Sequence, residues 1–431
     1  MALTRLYSIL FAAGVSMLTI FDKRRQNTLL TPFSVSAWPL VFIVLVVNFL
    51  LVYMNFQTVT PHVIVFLSAN LILIWLIGLV FSYLYENDRP SSFNDVFLPY
   101  VKFENLLILL SWIVNIVVFL RVKNLLAIYG GFSFFGDFRF EEMITRGPVA
   151  HLSQFGKVTF LLLCFIYPMA KHKISIIITL FGLILTFFAL QVKYNLIGIL
   201  LIVFIYYNYL NAPKKQFSNV IKFCLVVVIL MALFLVFLTI SWGTFAVSKK
   251  SVRLFLSQNL LSYFFSPPIV LDKWLNYPFV QPDWTLLLVF KNIINQIVGN
   301  PLVYSSLNYT GLGFSEVAKD VYSNVATSYG TYFIIGGWVF SLFMSAVISF
   351  VTYFVYYITN KKPTPIKIFL CMTLLNLALT SFFGQYFTFV SYYEMILFFI
   401  ITIKLMDVYN EFICLPQKSE KHLKVISDSH A

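Results

Sequence analysis

Titratable side chains that could do chemistry collect in two segments of this sequence, residues 121–157 and 242–332. Carboxylates and imidazoles in such segments can act as general acids or bases. The first segment carries Arg121, Lys123, Asp137, Arg139, Glu141, Glu142, Arg146, His151 and Lys157, and the second carries Lys249, Lys250, Arg253, Asp272, Lys273, Asp283, Lys291, Glu316, Lys319 and Asp320. These two segments hold most of the candidate chemistry of the chain.

The rest of the chain has the composition of a membrane protein. Of its 431 residues, 60% are hydrophobic, 19% are aromatic and 11% are charged, and the mean hydropathy is +0.86. Soluble domains contain about a quarter charged residues, and disordered chains lack this much apolar surface, so both classes are excluded. The sequence predicts an all-α fold, a polytopic integral membrane helix bundle that forms a single membrane domain over residues 1–431.

Apolar runs predict about eleven transmembrane helices of roughly 20 residues each. The runs cover residues 6–21, 33–55, 63–84, 105–120, 158–170, 174–190, 194–210, 223–241, 333–357, 368–387 and 390–406. Two of these residues are charged, Glu394 near the start of the last run and Lys404 near its end. The heavier positive flank of the first run is C-terminal, the reverse of a cleavable signal peptide, so we expect this run to be retained.

Lysine and arginine in short loops predict the sidedness of the bundle, because they mark the cytoplasmic side. Four basic loops lie an even number of spans apart, at residues 22–32, 171–173, 211–218 and 358–367. With these loops inside, residues 410–431 form a cytoplasmic tail. Residues 121–157 and 242–332 are then two large outer (periplasmic) loops.

The second outer loop contains interfacial segments. Between Asp283 and Gly299, apolar residues recur at helical spacing, which predicts an amphipathic helix lying in the outer membrane interface. Residues 254–265 are a second candidate. Such helices either pack over the bundle or guide a lipid-linked substrate, and the pattern leaves both readings open.

Several kinds of site find no support in the sequence. It has no glycine-rich phosphate or dinucleotide motif, no His-Glu-x-x-His and no Cys-x-x-Cys. Its five histidines are spread over different loops, so we expect no metal and no cofactor. The net charge of +13 is scattered through short loops, so we expect no nucleic-acid partner.

One segment resembles the signature of a known enzyme family. Residues 324–338 are similar to the start of a late span in O-antigen and capsule oligosaccharide repeat unit polymerases of the Wzy type. The matching residues are Asn324, Val325, Thr327, Tyr332 and Gly337, whereas Ala326 replaces a tyrosine of the family and Ile335 an aspartate. Residues 260–275 also resemble a run in the large outer loop of that family, and the predicted spans and loops agree with it.

The resemblance implies a membrane glycosyltransferase that polymerises lipid-linked repeat units of an O-antigen or related surface polysaccharide. The growing glycan would leave undecaprenyl diphosphate and join the non-reducing end of an incoming lipid-linked repeat unit. The implied location is the bacterial inner (cytoplasmic) membrane, with the active site facing the periplasm. Implied partners are undecaprenyl-diphosphate-linked oligosaccharides, membrane lipids and a chain-length regulator.

This chemistry suggests roles for the outer residues. Cations would hold the carrier diphosphates, and a base would activate the acceptor hydroxyl. The candidates for diphosphate binding are Arg139, Arg146, Lys193 and Arg253, where Lys193 stands at a position that is typically arginine in the family. The candidates for catalysis are His151, Glu142 and Asp272. Each cation could instead be a topology or lipid-headgroup charge.

Three other functions fit parts of the pattern. An O-antigen ligase uses the same donor, with the lipid A core as the acceptor, and also has a large outer loop. A lipid-linked oligosaccharide flippase would be a transporter without chemistry of its own, and the uncharged span interiors disfavour it. A non-catalytic scaffold fits the hydropathy but does not explain why both long loops lie on the same side.

Overall fold

Long α-helices make up nearly all of the structure. A computed structural model of the chain describes residues 2–85, 92–129, 140, 143–144, 147–190, 193–222, 261–276, 288–300, 315–319, 321–323, 325–384 and 389–428. The helices are α1 (Ala2–Gln26), α2 (Pro32–Phe49), α3 (Pro61–Leu84), α4 (Asn94–Phe97), α5 (Glu104–Tyr129), α6 (Pro148–Ile166), α7 (Lys173–Ala189), α8 (Lys193–Tyr209), α9 (Pro267–Leu275), α10 (Leu288–Val298), α11 (Ser328–Lys361), α12 (Pro365–Leu379) and α13 (Val390–Asp428). Short 3-10 turns lie at Leu51–Met54, Leu98–Phe103, Tyr167–Met169 and Thr380–Phe382.

The predicted fold class is confirmed. Among the described residues, seven helical segments are long and apolar enough to cross a membrane, and α7 and Leu196–Tyr209 of α8 are shorter apolar helices. The chain is an all-α polytopic membrane protein. The predicted span at residues 223–241 lies outside the described residues.

Threonine and proline set the starts of several helices. Thr31 precedes α2, which begins at Pro32, and the Thr31 hydroxyl accepts a hydrogen bond from Ser34 N at 3.1 Å. Thr364 caps α12 in the same way, just before Pro365. A threonine hydroxyl satisfies a backbone N–H that has no partner within the helix, and proline at the first position loses no hydrogen bond.

Contacts between distant residues place the basic loops at one end of the bundle. The Gln216 side chain accepts a hydrogen bond from Leu29 N at 2.8 Å, and the Tyr209 hydroxyl donates to Asn360 Oδ1 at 2.8 Å. The Phe93 ring stacks on Tyr209 with centroids 5.7 Å apart, so the segment leading into α5 lies there too.

The remaining basic loop reaches the same end through the start of α5. Lys171 N donates to Glu104 Oε2 at 2.9 Å. All four loops that the sequence predicts to share a side therefore lie together, and we call this the basic end.

The other helix ends meet at what we call the opposite end. Asn48 Nδ2 donates to the Val59 carbonyl at 3.0 Å, which closes the connection between α2 and α3. A small antiparallel hairpin of β1 (Ser315–Ala318) and β2 (Val321–Ser323) packs there, and Gln57 N donates to the Val317 carbonyl at 2.8 Å.

The predicted amphipathic helix is present as α10. It ends at Gly299, as predicted, where a φ of 79° favours glycine. Ile294 and Ile297 are exposed on it, as expected for a helix that lies in a membrane interface. The predicted N-cap, Asp283, lies outside the described residues.

Helices extend into both segments that are predicted to be outer loops. The first outer loop was predicted at residues 121–157, but α5 continues to Tyr129 and α6 already begins at Pro148. The second was predicted to reach residue 332, but α11 begins at Ser328. Polar residues extend these helices beyond their apolar cores, so hydropathy alone places the helix ends too far inward.

Candidate functional site

The structure pairs His151 with Glu394 at the opposite end. His151 lies in the first turns of α6, and Glu394 lies in the first turns of α13. His151 Nδ1 is 2.5 Å from Glu394 Oε1, and the two side chains are 45% and 18% exposed. The imidazole therefore faces the surface of the bundle while its carboxylate partner is mostly covered.

Helix packing sets the geometry of this pair. One turn further along each helix, the rings of Phe155 and Phe398 meet edge to face with centroids 6.0 Å apart. Residues four apart lie on the same face of a helix. The aromatic contact between α6 and α13 therefore aligns His151 with Glu394.

Lys157 brings a buried positive charge to the same carboxylate. It was predicted to lie in the first outer loop, but it lies within α6 and is only 4% exposed. Its Nζ donates to Gln154 Oε1 at 2.6 Å, and its ammonium interacts electrostatically with Glu394. A buried ammonium group is strongly unfavourable unless it is paired, so the charged form of Lys157 depends on an ionised Glu394.

A small pocket opens beside this charged cluster of His151, Lys157 and Glu394. Lys157 and residues of α8 and α13 line it, and its free space can hold about one water molecule. The other lining residues are Gly198, Ile199, Ile202, Ser391, Tyr392 and Met395. Lys193, a predicted diphosphate ligand, is the first residue of α8, which contributes Gly198, Ile199 and Ile202 to the pocket.

The charged cluster has the chemistry of an oriented general base. A carboxylate on Nδ1 fixes the imidazole tautomer and assigns proton uptake to Nε2. It also stabilises the imidazolium that forms when the proton is taken up. The arrangement can accept a proton from a hydroxyl group at the membrane surface and return it later.

Asp272 has different neighbours from His151. On α9, its Oδ1 accepts a hydrogen bond from Thr60 Oγ1 at 2.7 Å, and its carbonyl accepts from Asn276 Nδ2 at 2.9 Å. Thr60 is the residue that precedes α3. The structure thus gives Asp272 a contact that ties α9 to α3, and it does not join Asp272 to the charged cluster.

Five of the predicted site residues cannot be placed. They lie outside the described residues and are Glu142, Arg139, Arg146, Arg253 and Asn324. Their roles stay predictions. Across the described part of the chain, no three His, Cys, Asp or Glu side chains come together as a metal site.

The remaining residues of the resemblance shape the start of α11. Thr327 caps the helix by accepting a hydrogen bond from Gly330 N at 3.2 Å, and Tyr332 is 2% exposed. At Gly336 and Gly337 the helix is broken, and Gly337 has a φ of 71° and a ψ of −163°, a region essentially restricted to glycine. These residues therefore build a bent helix start close to the opposite end.

Comparison with known proteins gives one finding. Residues 41–411 match the Family of unknown function (DUF6337). The chain belongs to this family. No curated protein and no solved structure matches it. All three residues of the charged cluster lie within the part of the chain that matches DUF6337.

Two members of the charged cluster of this DUF6337 protein, Glu394 and Lys157, are absent from the site that the sequence predicts. Glu394 lies inside a predicted span, near its start, and Lys157 borders another span. A buried charge needs an opposite partner. That rule could have joined the two residues, although they are far apart in the sequence.

Proposed function

We propose that this chain is a polymerase of lipid-linked oligosaccharide repeat units, a membrane glycosyltransferase of a bacterial surface polysaccharide. The observation that carries the proposal is the hydrogen-bonded pair of His151 and Glu394 at the end of the bundle where α6 and α13 begin. The resemblance of residues 324–338 to Wzy-type polymerases supplies the substrate class.

In the proposed reaction, His151 Nε2 accepts the proton of an acceptor hydroxyl as that oxygen attacks the anomeric carbon of the donor glycan. The bond between the anomeric carbon and the diphosphate oxygen breaks, and undecaprenyl diphosphate leaves with the electron pair. Glu394 stabilises the imidazolium, and Lys157 keeps Glu394 ionised. Arg139, Arg146, Lys193 and Arg253 remain the candidates to hold the diphosphates.

The location follows from the same proposal. We infer that the basic end faces the cytoplasm, because lysine and arginine accumulate on that side of short loops. The charged cluster then faces the periplasm of an inner membrane protein. Its substrates reach it there as lipid-linked oligosaccharides that have already crossed the membrane.

Deletion of the gene tests the activity. Surface glycan from the deletion strain is separated by size, and we expect single repeat units on the lipid core with the long chains lost. Restored polymer after complementation with the wild-type gene supports the proposal. Loss of all glycan from the core, with polymer accumulating on the carrier, would identify a ligase and contradict the proposal.

Point variants test the site in the same complementation assay. His151→Ala should lower polymer formation by about 100-fold to 10,000-fold, the range for loss of a general base. The matched control is His172→Ala, because His172 pairs with Glu104 at the basic end, with Nε2 and Oε1 3.6 Å apart. Normal polymer in His151→Ala, with protein levels equal on an immunoblot, would remove His151 from the mechanism.

A further inference from the structure

A second cavity lies inside the bundle, between α2, α3, α11 and α12. It extends from Pro32 and Ser36 of α2 to Ser328 at the start of α11 and Ser381 after α12. Its free space suits about three water molecules. None of the described residues that line it is charged, and most of its polar groups are hydroxyls.

The broken helix α11 brings a tyrosine into this cavity. Ser341 Oγ donates to the Tyr329 carbonyl at 3.3 Å, although the two residues are 12 positions apart. In a straight helix they would be separated by about 18 Å. The break at Gly336 and Gly337 therefore folds the first segment of α11 back beside the second.

As a result, the buried Tyr329 lines the cavity together with Ser36 and Ser381, which belong to two separate parts of its wall. Ser36 belongs to the first turns of α2 at the basic end, and Ser381 follows α12 on the other side of the cavity. A hydroxyl group can accept one proton and donate another.

One lining hydroxyl indicates that water occupies the cavity. Ser381 is 8% exposed, lines the cavity, and its Oγ has no hydrogen-bond partner among the described residues. An unsatisfied buried hydroxyl is unfavourable, and a water molecule in a polar cavity satisfies it. Irregular backbone at membrane depth is tolerated where it lines such a water-filled cavity, which accounts for the glycine break.

A buried carboxylate adjoins the cavity at the basic end. Asp22 is 6% exposed and accepts hydrogen bonds from Thr31 Oγ1 at 3.3 Å and Trp75 Nε1 at 3.1 Å. The other charged or titratable groups that act on it are Arg25 and Tyr353. Thr31 and Tyr353 are the chain neighbours of the lining residues Pro32 and Thr352.

We propose that this cavity is a hydrated path that conducts protons between Asp22 at the basic end and Ser381 on the other side of the bundle. The Asp22 carboxylate takes up a proton, water carries it along Ser349 to Ser36, and the Tyr329 hydroxyl relays it to Ser381. At each step an oxygen gains one proton and releases another, so no covalent product remains. An ionisable group within a membrane bundle commonly marks such a path. The proposal is independent of the glycosyltransferase function.

Proton flux into vesicles tests the path. The purified protein is reconstituted into liposomes that contain a pH-sensitive dye, and a potassium gradient with valinomycin drives proton entry and balances the charge. Wild-type vesicles should acidify faster than protein-free vesicles. Asp22→Asn should lose this excess rate because an amide does not take up the proton, and Tyr329→Phe should lose it because the relay hydroxyl is absent.

Two further variants separate the path from a general loss of structure. Asp22→Glu keeps a carboxylate and should retain the excess rate. The matched control is Ser111→Ala on α5, because Ser111 is also buried but donates to Leu107 and Thr159 away from this cavity. Each variant is required to elute from a sizing column as the wild type does. A wild-type rate equal to that of protein-free vesicles, or an Asp22→Asn rate equal to wild type, overturns the proposal.

Discussion

At the scale of single residues, the Glu394 carboxylate interacts with two basic side chains. Glu394 pairs with the half-exposed imidazole of His151 and interacts electrostatically with the amino group of the buried Lys157. Because the charged form of Lys157 depends on Glu394, loss of Glu394 is expected to affect stability as well as catalysis.

A double-mutant cycle tests this dependence. Glu394→Gln removes the negative charge from beside a buried ammonium, which should lower the free energy of unfolding by about 3–5 kcal/mol. Adding Lys157→Met removes the ammonium and should recover most of that loss. The unfolding midpoints of the purified single and double variants measure the coupling. A double variant no more stable than Glu394→Gln would show that the two charges do not interact.

The sequence revealed only part of this cluster. His151 was predicted because an imidazole in an outer segment is a ready proton acceptor. Its pairing with Glu394 spans 243 residues, and a hydropathy pattern carries no information on which helices become neighbours. The contact between Asp272 and Thr60 was hidden for the same reason.

At the scale of helices, α3 packs tightly against α11 at a glycine. A Cβ atom added at Gly78 would lie 2.3 Å from Cζ of Tyr353, which is itself fully buried. The missing side chain of Gly78 thus makes room for the Tyr353 ring. Small residues serve this purpose in membrane bundles generally, since they let helices approach closely.

Replacing that glycine should separate the two helices. Gly78→Ala is expected to lower the free energy of unfolding by about 1–3 kcal/mol, the usual effect of overpacking. Gly14→Ala on α1 is the matched control, because a Cβ atom there meets nothing within 4 Å. Unfolding midpoints of the two purified variants give the comparison. Equal midpoints would contradict the close packing at Gly78.

The apolar pattern predicted helices better than it predicted their irregularities. Runs of apolar residues located the described spans because a membrane-spanning helix needs a long apolar surface. It buries that surface against other helices or exposes it to lipid. The break at Gly336 and Gly337 lies inside such a run and leaves its hydropathy unchanged. Likewise, α6 extends outward over polar residues to Pro148 because backbone hydrogen bonding continues beyond the apolar stretch.

At the scale of the whole molecule, the contacts sort the described loops into two ends, and the four basic loops share one of them. This grouping was predicted from charge alone, because lysine and arginine accumulate in the short loops on the cytoplasmic side of a membrane protein. It leaves the charged cluster and the small hairpin together at the other end.

Cysteine labelling tests which end faces outward. Lys319→Cys in the hairpin and Lys362→Cys after α11 both replace exposed lysines, at the opposite end and the basic end respectively. Each is introduced into a chain whose native Cys164, Cys224, Cys371 and Cys414 are replaced by serine. In intact spheroplasts, a membrane-impermeant thiol reagent should label only position 319. Labelling of position 362 alone would place the charged cluster in the cytoplasm and contradict the proposed function.

The contact of Gln216 with the loop between α1 and α2 also bears on how the protein is made. Leu29 N donates to the Gln216 side chain, and the Thr28 hydroxyl exchanges hydrogen bonds with the same amide across 188 positions of the chain. During synthesis, the ribosome has to deliver α3 to α8 before Gln216 emerges. The pair of α1 and α2 therefore enters the membrane before the Gln216 side chain is available to its connecting turn. The N-terminal part of the bundle reaches its final packing only after about half of the protein has been translated.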